Sequence, residues 1–251
     1  MKVLILAGGF ATRLWPLTEN FPKPLLKVGG KPILSHILDR ISNIETVDEI
    51  FVATNKKFSS QFSSWHADVS SFYHKKISLI IEESLKENEK LGSIGALHYA
   101  LRLKNIDDDL LVVLGDNIFE FSLLNYVHIY EKMPFIRIGV IDLKNIELVR
   151  NFGVFTLDAS QSVLSFKEKP THPESTLAST GIYFFPRSSL PLIKEYIEKG
   201  NNPDKPGYLI EWLLHYKKIP LHGFVFKGIW FDIGTPETLK SAKNIYHSGR
   251  F

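Results

Sequence analysis

The 251-residue sequence contains no cysteine. That absence excludes disulfide scaffolding, thiolate catalysis and cysteine-ligated zinc. No stretch approaches the roughly 20 apolar residues that a membrane-spanning helix needs. The N-terminal apolar run stops after Ala7, with Arg13 soon behind it, and is too short for a signal peptide. Long runs of one charge are missing too. The net charge of +3 is mild, and its basic residues are scattered, which argues against a nucleic-acid surface but suits small anionic ligands. No nucleic-acid or membrane partner is expected, and the cytoplasm is the default location. Two familiar phosphate motifs also fail. Gly8-Gly9-Phe10-Ala11-Thr12-Arg13 does not supply the dinucleotide fingerprint G-x-G-x-x-G, and Gly30-Lys31 is followed by Pro32, which breaks the P-loop pattern.

What is present is a core-forming sequence. Hydrophobic residues make up 44% and charged residues 23%, so wholesale disorder is excluded. The length fits one large α/β domain or two small ones. Apolar runs at Lys2–Ala7, Glu49–Thr54, Ile77–Ile81 and Leu110–Leu114 read as buried strands. Between them, Ile33–Ile41, Lys57–Trp65 and Ser93–Leu103 carry apolar residues at helical spacing. This alternation predicts an α/β fold, a Rossmann-like, mostly parallel sheet with helices on both faces. Such sheets bind ligands at the carboxyl ends of their strands. The second half is richer in strands, at Phe135–Leu143, Gly153–Leu157, Val163–Lys167 and Thr180–Phe185. Ser188–Glu198, Tyr208–Tyr216 and Pro236–His247 read as helices, and Lys199–Gly207 as a loop.

The loop after the first strand reads GGFATRLWPLTENFPKP. Gly8 and Gly9 lack Cβ atoms, so backbone N–H groups there can approach a phosphate or base closely. Arg13 adds a planar donor suited to phosphate oxygens. Lys23 lies between Pro22 and Pro24, which restrict the backbone around it. Each part taken singly is a tight turn or a solvated charge; together they form a plausible triphosphate cradle.

The whole segment Leu6–Leu26 resembles the signature of the sugar-1-phosphate nucleotidylyltransferases (sugar-nucleotide pyrophosphorylases), written LAGGxGTRLxPxTxxxPKPL. Ala11 stands where that family usually has Gly. The resemblance continues in order: Leu91–Leu97 (LGSIGAL) resembles LGTAGAL, and Val113–Asn117 (VLGDN) resembles the metal-binding aspartate motif. Asn151–Val154 (NFGV) is similar to YGV, and Phe166–Pro170 (FKEKP) to FxEKP. Ser179–Phe184 (STGIYF) is similar to NAGIY, and Trp230–Glu237 (WFDIGTPE) to WxDIGTPE. The catalytic domains of mannose-1-phosphate guanylyltransferases and glucose-1-phosphate thymidylyltransferases carry such motifs. The nucleotide-diphospho-sugar transferase fold is therefore expected, with a small strand-rich sugar-binding part.

The resemblance implies transfer of a nucleotidyl group from a nucleoside triphosphate to a sugar 1-phosphate. Arg13, Lys23 and Lys169 are the implied catalytic cations. Gly8, Gly9, Ala11, Thr12 and Gly92 are implied at the nucleotide, with Glu82 or Glu83 reading the base. Gly153, Glu168, Thr180 and Trp230 are implied at the sugar, although Trp230 reads equally as a buried tryptophan. Asp116 and Asp232 are the implied ligands of Mg²⁺. A carboxylate at position 82 or 83 favours guanine, whose N1–H and 2-amino group can both donate to it. GTP with mannose 1-phosphate, or a related sugar 1-phosphate, is the first expectation. Glucose 1-phosphate with dTTP or UTP is the alternative, and a non-catalytic sugar-nucleotide-binding regulatory subunit is a third. Relatives often carry a C-terminal β-helix. This chain ends soon after WFDIGTPE, so a single catalytic domain spanning 1–251 without a β-helix is expected, and a homo-oligomer is possible.

Overall fold

The near-continuous apolar run of Lys2–Leu6 forms a strand buried on both faces, as parallel strands are. The computed structural model describes residues 1–247, and its backbone contacts divide the chain into two compact units. Residues 248–251 of the expected domain lie outside the described residues.

The first unit holds Met1–Leu91, Val113–Leu123 and the chain from Gly228 onward. Its strands Lys2–Leu6, Glu49–Asn55 and Lys76–Glu82 lie side by side and all run parallel. Helix Ile33–Ile41 connects the first two, burying Ile33, Leu34, Ile37, Leu38 and Ile41 at helical spacing. Helix Ser59–Val69 connects the next two and is fastened by Trp65, whose Nε1 donates to Ser35 Oγ at 3.1 Å. The closing helix, Pro236–His247, packs Leu239 and Ala242 against Leu14, Val28, Ile33, Ile118 and Ile233. Its last turn reaches a notch at Gly29, where φ is +59° and a Cβ would overlap the Tyr246 ring. Tyr246 Oη lies 3.1 Å from His36 Nδ1, and His36 Nε2 lies 2.9 Å from the Val28 carbonyl.

The second unit holds Gly92–Val112 and Leu124–Lys227. Strand Leu177–Phe185 pairs antiparallel with both Ile136–Asp142 and Gly153–Leu157, and Gly153–Leu157 pairs with Val163–Glu168. Helix Leu124–Lys132 lays Tyr126 and Tyr130 against Phe184, with Tyr126 also reaching Phe224 and Phe226.

The α/β class is as the sequence predicts, and Leu110–Leu114, Ile33–Ile41, Gly153–Leu157 and Pro236–His247 form with the expected bounds. Several elements differ. Leu221–Phe226 is a further strand, parallel to Ile136–Asp142. The short strands Asn117–Phe119 and Trp230–Asp232 pair antiparallel. The expected loop Lys199–Gly207 ends early, because Pro206 opens a helix over Pro206–Glu211. The expected helix Tyr208–Tyr216 is therefore two pieces, the second a π-helical turn, Trp212–Tyr216, in which Lys217 N–H donates to Trp212 O. Among the described residues no helix is long and apolar enough to cross a membrane.

The Gly29 notch makes a stability prediction. Gly29→Ala meets both a left-handed backbone and the Tyr246 ring, so it should cost about 2–4 kcal/mol. At roughly 2–4 °C per kcal/mol for a chain of this size, thermal melting should fall clearly; an unchanged midpoint would contradict this packing.

Candidate active site

Within the first unit, the loop after strand Lys2–Leu6 brings most of the expected phosphate-side residues together. Gly115 N–H donates to Leu6 O at 2.8 Å, and a Cβ on Gly115 would stand only 3.0 Å from that oxygen and from Ala7 Cβ. This close approach sets Asp116 beside the loop. Lys23 Nζ donates to Asp116 Oδ2 at 2.6 Å, and the Lys23 side chain is buried. Lys23 opens a short 3₁₀ turn, Lys23–Leu25, with Pro22 before it and Pro24 within it, so its backbone is fixed while its long side chain remains adjustable. The strand pair Asn117–Phe119 and Trp230–Asp232 sets Asp232 opposite Asn117, and Ile233 N–H donates to Asp116 O at 3.0 Å. Arg13 and Asp232 border the same backbone point: a Cβ on Gly234 would lie 3.4 Å from Arg13 Nη2 and 3.6 Å from Asp232 Oδ2. Trp230 is half-buried on the same short strand.

Ala11 adopts φ 50° and ψ 44°, the left-handed conformation that its usual Gly would take freely. An alanine pays roughly 1–2 kcal/mol for it. Its contact with the Leu14–Ile33 cluster offsets part of that cost. The Ala11 carbonyl is held by Thr18 Oγ1 at 2.7 Å. Thr12 follows, exposed, at the start of the turn Thr12–Leu14, and Gly9 is exposed as well.

The two glutamates offered as base readers part company. Glu82 ends its strand buried, and a Cβ on Gly8 would sit 3.1 Å from Glu82 Oε1. Ser84 Oγ donates to that oxygen at 2.9 Å, and Asn55 Nδ2 holds the Gly8 carbonyl at 2.9 Å. Burial pushes the Glu82 carboxyl above its ordinary pKa. Glu83 points outward and pairs with Lys56, so it is not at this place.

In the second unit, Gly92 opens helix Gly92–Leu103 at φ +76°, pressed against the Pro203–Asp204 backbone. Gly153 and Glu168 meet: a Cβ on Gly153 would lie 3.2 Å from Glu168 Oε2, and a Cβ on Gly207 would overlap that oxygen. Glu211 accepts the Glu168 backbone N–H at 2.9 Å, and Lys205 Nζ lies 3.8 Å from Glu168 Oε1. Burial raises the Glu168 pKa against the pull of Lys205 and Lys169. Lys169 follows, exposed, at φ 48°, with its N–H donated to Phe152 O. Thr180 does not join this group. It is fully buried, and its hydroxyl donates to Gly139 O at 2.9 Å. Gly207, Glu211 and Lys205 were not foreseen; only the Pro206 helix start could have drawn attention there.

The model of the nucleotidyl transferase family matches residues 2–249. The chain belongs to that family. It is 31% identical over 254 residues to the bifunctional protein GlmU of Methanococcus vannielii, an alignment covering 98% of this chain and 55% of the relative. It is 33% identical over 257 residues to a glucose-1-phosphate adenylyltransferase of Bacillus subtilis, covering 95% and 65%. This nucleotidyl transferase chain thus spans about half to two-thirds of the length of those relatives. A Bacillus anthracis structure described as a glucose-1-phosphate thymidylyltransferase in complex with sucrose superposes with a TM-score of 0.84 at 24% identity, covering 100% of this chain and 97% of that one. That likeness supports the fold.

The buried Glu168 carboxyl gives a pH prediction. A carboxyl whose folded pKa is raised contributes stability only at low pH, and the contribution is lost as pH rises through the folded pKa. Glu168→Gln should therefore melt a few degrees above the unchanged protein at pH 7–8, with the advantage fading toward pH 4. A gap that stays constant or reverses would contradict the burial assigned to this carboxyl.

Proposed function

We propose that the chain transfers a nucleotidyl group from a nucleoside triphosphate to a sugar 1-phosphate, releasing pyrophosphate. The observation that carries the reading is the Lys23–Asp116 pair, with Asp232 on the adjoining strand and Arg13 at its border. An oxygen of the sugar 1-phosphate attacks the α-phosphorus in line. That phosphate has a second pKa of about 6 and is already an anion at neutral pH, so no general base is required. The barrier is largely repulsion between anions, and positioned positive charge lowers it.

Most of the implied residues then have a part. Arg13 faces the leaving pyrophosphate, and Lys23 neutralises the reacting phosphates. Lys169 holds the phosphate of the sugar substrate. Glu168, seated at Gly153, accepts hydrogen bonds from sugar hydroxyls, and Trp230 offers a stacking face. Gly8, Gly9, Ala11, Thr12 and Gly92 give backbone to the nucleotide. Thr180 takes no part at the sugar in this reading, since it is buried and its hydroxyl donates to Gly139 O.

Asp116 and Asp232 would hold Mg²⁺. Among the described residues no group of three or more acidic or histidine side chains gathers as a closed metal site. Mg²⁺ suits the open arrangement, since it usually takes one or two carboxylates and completes its shell with phosphate oxygens and water. The Lys23 ammonium already stands at Asp116 as a compact cation, which supports the fit. When bound, the metal supplies charge that offsets the phosphate anions.

Glu82 rather than Glu83 is the base reader in this proposal, given its burial beside Gly8. A carboxylate there suits the paired donors of guanine, so GTP with mannose 1-phosphate or a related sugar 1-phosphate is the favoured pair. The second reading, glucose 1-phosphate with dTTP or UTP, draws on the sugar phosphate in the name of the adenylyltransferase relative.

Two outcomes check this. Lys23→Ala and Asp116→Asn should each lose roughly a hundredfold or more in pyrophosphate release while remaining folded; near-normal turnover in either would remove its assigned role. In a panel of nucleoside triphosphates against sugar 1-phosphates, GTP should lead, and preference for dTTP or UTP with GTP ignored would overturn the reading of Glu82.

A further inference from the structure

The Lys23–Asp116 pair joins the two groups that the proposed reaction needs apart. Lys23 is to face phosphate oxygens, and Asp116 is to face a divalent cation. Instead, Lys23 Nζ sits 2.6 Å from Asp116 Oδ2, with the lysine side chain about 10% and the aspartate side chain 28% exposed. A partly buried carboxylate left without a positive partner is costly, so something must hold it when no metal does. Lysine is suited to that duty. Its ammonium is a compact charge on a flexible stem, whereas its backbone here is fixed between Pro22 and Pro24. The side chain can therefore move while the loop stays in place.

We infer that Lys23 is a placeholder cation: it occupies the Asp116 carboxylate until a divalent cation takes that oxygen, and is thereby released toward the phosphates. Rearming of the lysine and loading of the metal become one event. No bond is made or broken in the exchange; one cation replaces another at a carboxylate, and Lys23 keeps its proton. The consequence is competition. The lysine weakens metal binding in the free protein, and the protein holds Lys23 in reserve until the metal arrives. This inference rests on the transferase reading for the purpose of the exchange, but its test uses neither nucleotide nor sugar phosphate. Its failure is therefore separable from failure of that reading, which would appear as absent pyrophosphate release.

The test has two measurements on the whole chain with Mn²⁺ alone. Mn²⁺ binding is followed by electron paramagnetic resonance for the unchanged protein and for Lys23→Met. The exchange predicts about tenfold or greater tightening in the variant, because the competing cation is gone. Unchanged, weaker or undetectable Mn²⁺ binding by Lys23→Met overturns it. Amine acetylation read by mass spectrometry then follows Lys23 itself, independently of whether the methionine variant folds. Lys23 should be protected in the free protein and become several-fold more reactive with Mn²⁺. In Asp116→Asn it should be reactive from the start, with Mn²⁺ adding nothing. Reactivity of Lys23 that ignores Mn²⁺ in the unchanged protein overturns the exchange and leaves only a general charge effect.

Discussion

The candidate site around Lys23 and Asp116 depends on how closely the backbone at Gly115 can approach the end of the first strand. With no Cβ to interfere, Gly115 N–H reaches Leu6 O, and the next residue is carried to the glycine-rich loop. Asp116 thereby comes within reach of Lys23. The pairing of Asn117–Phe119 with Trp230–Asp232 then adds the second carboxylate from a distant part of the sequence. A side chain at position 115 would push these apart, and Lys23 would lose its partner.

Burial of carboxyls runs through both units and is costly to the fold. Glu82 and Glu168 are each held where desolvation raises their pKa, and each has a neighbouring glycine that leaves it room. A core designed only for stability would not keep them. Their placement is understandable if they exist to meet donors on a ligand, a base in one case and sugar hydroxyls in the other. Glu211 braces the second by accepting the Glu168 backbone N–H.

Much of this was legible in the sequence because period and burial agree. Ile33–Ile41 and Leu110–Leu114 are long or apolar enough to declare their bounds. Alternation also bears on the glutamates: Glu82 shares a strand face with buried Ile80, while Glu83 lies past the strand end. Thr180 could not be read that way: its strand is buried on both faces from Thr180 to Phe185, and the pairing register shifts between Ser179 and Tyr183. Three-residue strands such as Trp230–Asp232 carry too little pattern to be read, and their pairing is a long-range contact. The support from Gly207 and Glu211 is set by tertiary packing, and the Pro206 helix start announces only that an element begins there.

In the proposed reaction the protein supplies no nucleophile and no general base; its residues bring two anions together and offset their charge. The stereochemistry at the α-phosphorus tests that most directly. A nucleoside α-thiotriphosphate of one configuration is turned over with a sugar 1-phosphate, and the configuration of the sugar-nucleotide product is determined by ³¹P NMR. A single in-line displacement predicts inversion. Retention would mean two displacements through a nucleotidyl-protein intermediate and would contradict the account.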